Sequence, residues 1–292
     1  MNRARVRDFV SMIKFKVVML STFSGVTGYI MATHANSSGY LKLFVFASVL
    51  FLLAAGAAAL NEYQEYRFDR IMERTRQRPI PSGILEPGFV LTISIGLIFF
   101  GLVGMVVVFG VLPGLIGLVT VIFYNGVYTY LKRVTAYAAV PGALIGALPP
   151  AIGWTAGNGN PFSPVLSVLM LFFYLWQIPH FWLLVSLYSR DYSRAGFPSI
   201  SDEFTPPQLS RMIFTWIIAT VCCVMMFPLF GIFNHIVSRS LSVLTGLAVA
   251  GISIPLLMEK TESDKVFRRT FRSINIFAFL MMLILICEYK CF

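Results

Sequence analysis

The sequence predicts an all-α polytopic membrane protein, a bundle of about nine transmembrane helices around a central cavity open to the cytoplasmic side. Composition, the spacing of apolar runs and the placement of basic residues carry that prediction. Of 292 residues, 57% are hydrophobic and 12% charged, and the mean hydropathy is +0.78. A soluble domain holds about a quarter charged residues, so a water-soluble fold is excluded first.

A helix crossing the hydrocarbon layer takes about 20 apolar residues, because backbone N–H and C=O groups must pair internally where there is no water. Runs of this kind fall at 15–33, 41–60, 89–110, 112–131, 137–157, 164–188, 211–233, 240–258 and 271–289. Only the Pro113-Gly114 region separates the third from the fourth, but the two together are too long for one crossing. With no linker and no repeat, residues 1–292 read as one domain. The basic N-terminus resembles a signal peptide, yet Asp8 and Lys14 interrupt it and no small-residue cleavage site follows, so a retained first helix is expected.

Basic residues test the count, since short cytoplasmic loops collect Lys and Arg. Alternate segments hold Arg3, Arg5, Arg7, Lys14 and Lys16; Arg67, Arg70, Arg74, Arg76 and Arg78; Lys132 and Arg133; Arg190, Arg194 and Arg211; and Lys260, Lys265, Arg268, Arg269 and Arg272. Those are twenty of the twenty-three, and only Lys42, Arg239 and Lys290 fall on the other side. The N-terminus is therefore expected inside and the C-terminus outside. This topology, with whatever anion the inner loops hold, accounts for the net charge of +10 without nucleic acid.

Within the spans, Gly142 and Gly146 suggest close helix packing, and Pro149-Pro150 is expected to bend or end a helical turn. Trp154, Trp176 and Trp182 read as core or interface aromatics. Cys222, Cys223, Cys287 and Cys291 lack C-x-x-C spacing and read as small apolar filler.

The second span runs into Asn61-Glu62-Tyr63-Gln64-Glu65-Tyr66-Arg67-Phe68-Asp69, where Asn61, Glu65 and Asp69 recur every four residues. On a helix of 3.6 residues per turn they share one face, drifting by about 40° per step. Oxygen ligands so arranged suit Mg²⁺, which is commonly held by one or two carboxylates together with substrate phosphates. Arg74, Arg76 and Arg78 follow, with guanidinium forks that match phosphate oxygens. Asp191 and Arg194 lie in a second inner loop, directly after Pro179-His180-Phe181-Trp182. Lys132 and Lys16 offer further phosphate contacts, although topology alone would place lysines there. On spacing alone, a solvated loop with incidental ion pairs fits as well.

The run from Asn61 through Glu65, Asp69, Met72, Arg74, Thr75 and Arg78 to Pro79 resembles the first acidic motif of the UbiA-type intramembrane prenyltransferases, in the form typical of the protohaem IX farnesyltransferase (haem O synthase) family. Tyr128 to Thr135, Gly142 to Trp154, Pro179-His180-Phe181-Trp182 and Asp191 to Pro198 are similar to that family in order and spacing. Four departures stand out: Glu65 where Asp is frequent, Ala195 where many superfamily members complete a D-x-x-x-D second motif, Arg190 where an acid is often found beside Asp191, and Lys14-Phe15-Lys16 where the family tends to show Lys-Pro-Arg.

The resemblance implies farnesyl transfer from farnesyl diphosphate to the vinyl group of haem b, giving haem O and diphosphate, with Mg²⁺ as cofactor. It implies Asn61, Glu65, Asp69 and Asp191 as catalytic and metal-binding residues, and Arg74, Arg78, Lys132, Lys16 and Arg194 as diphosphate contacts. His180 is the only histidine near both the inner face and the second loop, and is the candidate haem contact, as axial ligand or propionate partner. Haem A synthase or terminal oxidase assembly enters as a candidate partner. The alternative is a related prenyltransferase acting on an aromatic quinone precursor.

Overall fold

The computed structural model describes residues 3–33, 39–258 and 264–290; His34, Lys260 and Cys291 lie outside them. In chain order come α1 (Arg3–Met12), α2 (Phe15–Thr33), α3 (Tyr40–Asp69), α4 (Pro87–Phe109), α5 (Val111–Val121), α6 (Thr129–Leu131), α7 (Ala139–Ala156), α8 (Pro164–Leu187), α9 (Ser189–Arg194), α10 (Ile200–Glu203), α11 (Pro206–Met225), α12 (Ile236–Ser253) and α13 (Asp264–Lys290). A π-helical segment, Ile122–Tyr128, joins α5 to α6, so one crossing runs over Val111–Leu131. Among the described residues there is no strand, and nine helices are long and apolar enough to cross a membrane. The protein is an integral, multi-pass membrane protein.

The seventh crossing departs most from expectation, running over 206–225 in place of 211–233. Thr205 and Gln208 form a capping box, and Pro206 occupies a first helical position where it needs no partner for a backbone donor. Past Met225 the chain tightens into a 3₁₀ turn, Phe227–Phe230, around Pro228. The second crossing continues beyond residue 60 to Asp69, so the polar motif is itself helical.

Pro149 and Pro150 sit inside α7, which continues to Ala156 instead of breaking. The support comes from α2. A Cβ at Gly153 would stand 1.8 Å from the Gly25 carbonyl oxygen, and one at Gly28 would stand 2.2 Å from the Pro150 carbonyl oxygen. Backbone therefore lies directly on backbone at this crossing, and neighbouring helices are what sustain proline within membrane helices. Gly142 and Gly146 instead make room for side chains, the Tyr128 ring and Gln177 respectively.

The largest apolar core joins α7, α8, α11 and α13, with Phe172, Ile178, Leu183, Ile213 and Phe277 buried in it. Trp154 and Trp176 belong to this core, and each indole N–H donates to a carbonyl, those of Asn160 and Ile274, at 2.9 Å. Large exposed apolar side chains on α4 and α12, such as Phe99, Phe100, Leu244 and Leu247, form faces suited to lipid. Polar contacts sort the connections into two groups. At one end Asn234 N–H donates to Glu288 Oε1 at 2.6 Å, and Lys290 lies over the Tyr40 ring at 4.8 Å. At the other end the basic segments after α1, α3, α6 and α8 converge, as their alternation in sequence requires.

Candidate active site

The last turns of α3 bury polar groups at a membrane-protein end. Asn61, Glu62, Glu65 and Asp69 are 2%, 0%, 5% and 4% exposed, so each needs a partner inside the protein. Cations from three other segments supply three of them, and a backbone N–H the fourth. Lys14, at the junction of α1 and α2, donates to Asn61 Oδ1, and Lys132, just past α6, pairs with Glu65 Oε1. Arg78, from the loop after α3, donates through Nη1 to Asp69 Oδ2 at 2.6 Å. That loop folds back on the helix that precedes it: Thr75 Oγ1 donates to the Asp69 carbonyl at 3.0 Å, and Ile80 N–H donates to Glu62 Oε1 at 3.3 Å.

The π-helical segment sets the fourth side. Its widened turn lets Thr129 Oγ1 donate to the carbonyl of Tyr124, five residues back, at 2.9 Å, while the same hydroxyl accepts from Asn61 Nδ2 at 2.9 Å. Asn125 Nδ2 donates to the Ala57 carbonyl at 3.0 Å and to Gln64 Oε1 at 3.1 Å, which locks the segment to α3. Lys132 thereby reaches Glu65. Sequence periodicity gives no sign of a π turn, because its apolar residues match any helix.

The donor set fits a divalent cation carried with a diphosphate. Glu62 Oε2 and Glu65 Oε1 are buried oxygens with no properly aligned hydrogen-bond donor, although Lys132 stands beside the latter. Buried carboxylate oxygens in that condition are costly unless a cation meets them. Among the described residues no three His, Cys, Asp or Glu side chains gather into a closed cage. Mg²⁺ does not require one, since substrate phosphates and water complete its octahedron.

Lys14, and not Lys16, reaches the cluster. Its backbone is left-handed, at φ 52°, and this kink between α1 and α2 turns the ammonium to Asn61. Lys16 is exposed and forms no ion pair among the described residues. Lys14 lies outside the spans, and burial, then the Arg78 guanidinium, pull its pKa down to about 7. An amine with its charge weakened in this way regains it beside an anion, which suits an anionic ligand. Lys14→Ala is expected to lower turnover about a hundredfold, the scale for one preorganised electrostatic donor. Lys16→Ala should cost less, and initial-rate kinetics on the two purified variants decide between them.

The remaining expected residues stand apart from this cluster. Both carboxylate oxygens of Asp191 accept backbone N–H groups of the first loop, Oδ1 from Glu73 at 3.3 Å and Oδ2 from Arg74 at 3.1 Å. The Arg74 guanidinium lies over the Tyr188 ring at 4.9 Å, and Arg194 pairs with Glu73 at 2.7 Å on the exposed surface. His180 sits deeper, linked to the cluster through Phe181, whose ring stacks on Tyr128 at 5.6 Å, and through Tyr128, over which Lys132 lies at 5.6 Å.

His180 Nδ1 is 2.9 Å from Asn275 Oδ1, and Asn275 Nδ2 donates to the Phe271 carbonyl at 2.6 Å. The second bond fixes which amide atom faces the ring. An amide oxygen only accepts, so Nδ1 carries the proton and Nε2 keeps its lone pair. No hydrogen bond to Nε2 is made among the described residues. Asn275, Lys14 and Glu62 make contacts at this site that sequence spacing did not assign; Glu62 had a signal, one turn ahead of Glu65, and so had Lys14, at the head of Lys14-Phe15-Lys16.

Residues 18–283 match the UbiA prenyltransferase family. The chain is 37% identical over 217 residues to a protoheme IX farnesyltransferase of Geobacter sulfurreducens, covering 74% of this chain and 79% of that protein. It is 31% identical over 286 residues to one of Oleidesulfovibrio alaskensis, covering 97% and 96%. The fold is similar to a digeranylgeranylglyceryl phosphate synthase, with TM-score 0.78 at 16% identity over 99% of this chain and 100% of the other. It is similar also to a UbiA homologue of Archaeoglobus fulgidus bound to GPP and Mg²⁺, with TM-score 0.65 at 14% identity over 95% and 99%. A bundle with nine membrane-long helices among the described residues, cations seated against a helical N-x-x-x-E-x-x-x-D face, and identity of this extent agree: the chain belongs to the UbiA prenyltransferase family and, within it, to the protoheme IX farnesyltransferases.

Proposed function

We propose that the protein transfers the farnesyl group of farnesyl diphosphate to a vinyl group of haem b, releasing diphosphate and giving haem O, in a cavity open to the cytoplasmic side of a prokaryotic inner membrane. The observation that carries this reading is the convergence of Lys14, Lys132 and Arg78 on Asn61, Glu65 and Asp69. Mg²⁺ would neutralise charge building on the leaving oxygens. Asn61, Glu65 and Asp69 would hold it, and Lys14, Arg78 and Lys132 would swing from their carboxylate and amide partners to phosphate oxygens. Arg74 and Arg194, at the outer rim, would meet the diphosphate as it enters.

The chemistry balances without a redox partner. The allylic C1–O bond breaks as the diphosphate leaves, the vinyl carbon bonds to C1, and water adds to the new cation and gives up a proton. Preorganised cations lower the cost of the first step in a site of low dielectric. Apolar walls such as Phe181 and Tyr128 keep water from the farnesyl cation before the vinyl group reaches it.

His180 would bind haem iron through Nε2, the ring being held in that tautomer by Asn275. His180→Ala is expected to move the Soret band of the haem-loaded protein and to weaken haem binding about tenfold or more; an unaltered spectrum would return His180 to a packing role. The overall reaction is tested by mass spectrometry of haem after incubation of purified protein with haem b, farnesyl diphosphate and Mg²⁺. Haem O is the expected product, destined for haem A synthase or terminal oxidase assembly. Unchanged haem b beside a prenylated quinone precursor would establish the alternative acceptor.

A further inference from the structure

We propose that Asp191 is a positioning residue, which latches the second inner loop onto the backbone of residues 73–74 and so holds Arg78 in register with Asp69, and that it is not a metal ligand. The inference rests on the prenyltransferase reading for its consequence in turnover, but its geometry stands by itself. Asp191 is 8% exposed, and each of its oxygens is taken by a backbone N–H of the first loop. One acceptor site on each of its oxygens is thus taken by a backbone donor that cannot rotate away.

The surroundings of Asp191 are adhesive throughout. Ala195, four residues on, is buried with Met72 and Phe197 in an apolar cluster that joins the two loops. Phe197 meets Phe68 of α3 at 5.1 Å, Arg194 meets Glu73 at 2.7 Å, and Arg74 covers the Tyr188 ring at 4.9 Å. A second acid at position 195 would fall inside that cluster. The loop has thus given up the position that would complete a metal-binding pair and uses it as a contact.

The consequence runs through four residues of chain. From the anchored N–H groups at 73 and 74 the backbone turns, with Arg76 N–H donating to the Met72 carbonyl and Arg78 N–H to that of Thr75, and delivers Arg78 to Asp69. Releasing the latch frees this turn, and Arg78 loses its fixed position over the diphosphate site.

Two variants of the full-length protein in nanodiscs test the assignment, Asp191→Asn and Ala195→Asp. In Asp191→Asn one oxygen becomes an amide donor that opposes a backbone N–H. Amide hydrogen exchange at residues 73 and 74 should then quicken about tenfold or more, the scale of one hydrogen bond to a charged acceptor. Haem O formation should fall about tenfold, with a raised KM for farnesyl diphosphate and an unchanged midpoint of Mg²⁺ activation. Ala195→Asp should reduce activity without lowering the Mg²⁺ requirement. A rightward shift of the Mg²⁺ midpoint in Asp191→Asn with protection at 73 and 74 intact would overturn the proposal, as would a gain in Mg²⁺ affinity in Ala195→Asp. Should the wild-type protein make no haem O, the functional reading fails while the exchange measurement still decides the latch.

Discussion

Replacing Asp69 by alanine should lower haem O formation at least about a hundredfold while the protein still folds into the membrane. The carboxylate does two things that no neighbour can take over. It closes the N-x-x-x-E-x-x-x-D face with an oxygen placed to meet the proposed Mg²⁺, and it balances Arg78, whose side chain is only 21% exposed. Removing one group that stabilises developing charge in a preorganised site costs about 10²–10³ in turnover. Removing one partner of a buried pair leaves the other uncompensated, so Arg78 would also leave its place. Raising Mg²⁺ should recover little, because the arginine is displaced as well. Haem product analysis on the detergent-purified, monodisperse variant provides the measurement, and output equal to wild type would remove Asp69 from the centre of the site.

Gly153→Val should be the most destabilising single change in the transmembrane bundle. A Cβ there meets the Gly25 carbonyl oxygen at 1.8 Å and the Tyr29 backbone nitrogen at 2.8 Å, both parts of a helix that cannot shift alone. Overpacking against yielding side chains costs about 1–3 kcal/mol, and here the obstacle is backbone, so a loss above about 3 kcal/mol is expected. For a chain of this size that lowers Tm by roughly 6 °C or more. Gly146→Ala is the control, because its added methyl meets only the end of the Gln177 side chain. Thermal unfolding followed by size-exclusion chromatography in detergent separates the two; similar melting of both variants would mean that α2 and α7 can move apart without loss.

Much of this was legible in the sequence because membranes restrict what a chain can do. Among the described residues each of the nine crossings overlaps the apolar run expected to form it, the seventh shifted to 206–225, and the basic alternation matches the end at which Lys14, Lys132 and Arg78 meet α3. The acidic face was legible because a spacing of four is a property of the helix itself. What could not be read depended on tertiary choice. Lys14 and Lys16 are two residues apart and chemically alike, and only the left-handed backbone at Lys14 decides which one turns inward. Asp191 reads as a ligand by type, yet backbone amides far away in sequence claim its oxygens. Pro149-Pro150 promised a bend or an end, yet α7 runs on to Ala156, and the glycines of α2 that shelter it lie in another helix.

The seven residues from Ile122 to Tyr128 act as a rotary adjustment in an otherwise uniform rod. Each residue of an α-helix advances the facing direction by about 100°, so the wider turn decides whether Tyr128, Thr129 and Lys132 aim at the acidic helix or at hydrocarbon. Side chains on the outer surface of that stretch, such as Ile122 and Val127, are free to drift among greasy types. Its residue count is not, because adding or deleting one would re-aim every group downstream of it at once.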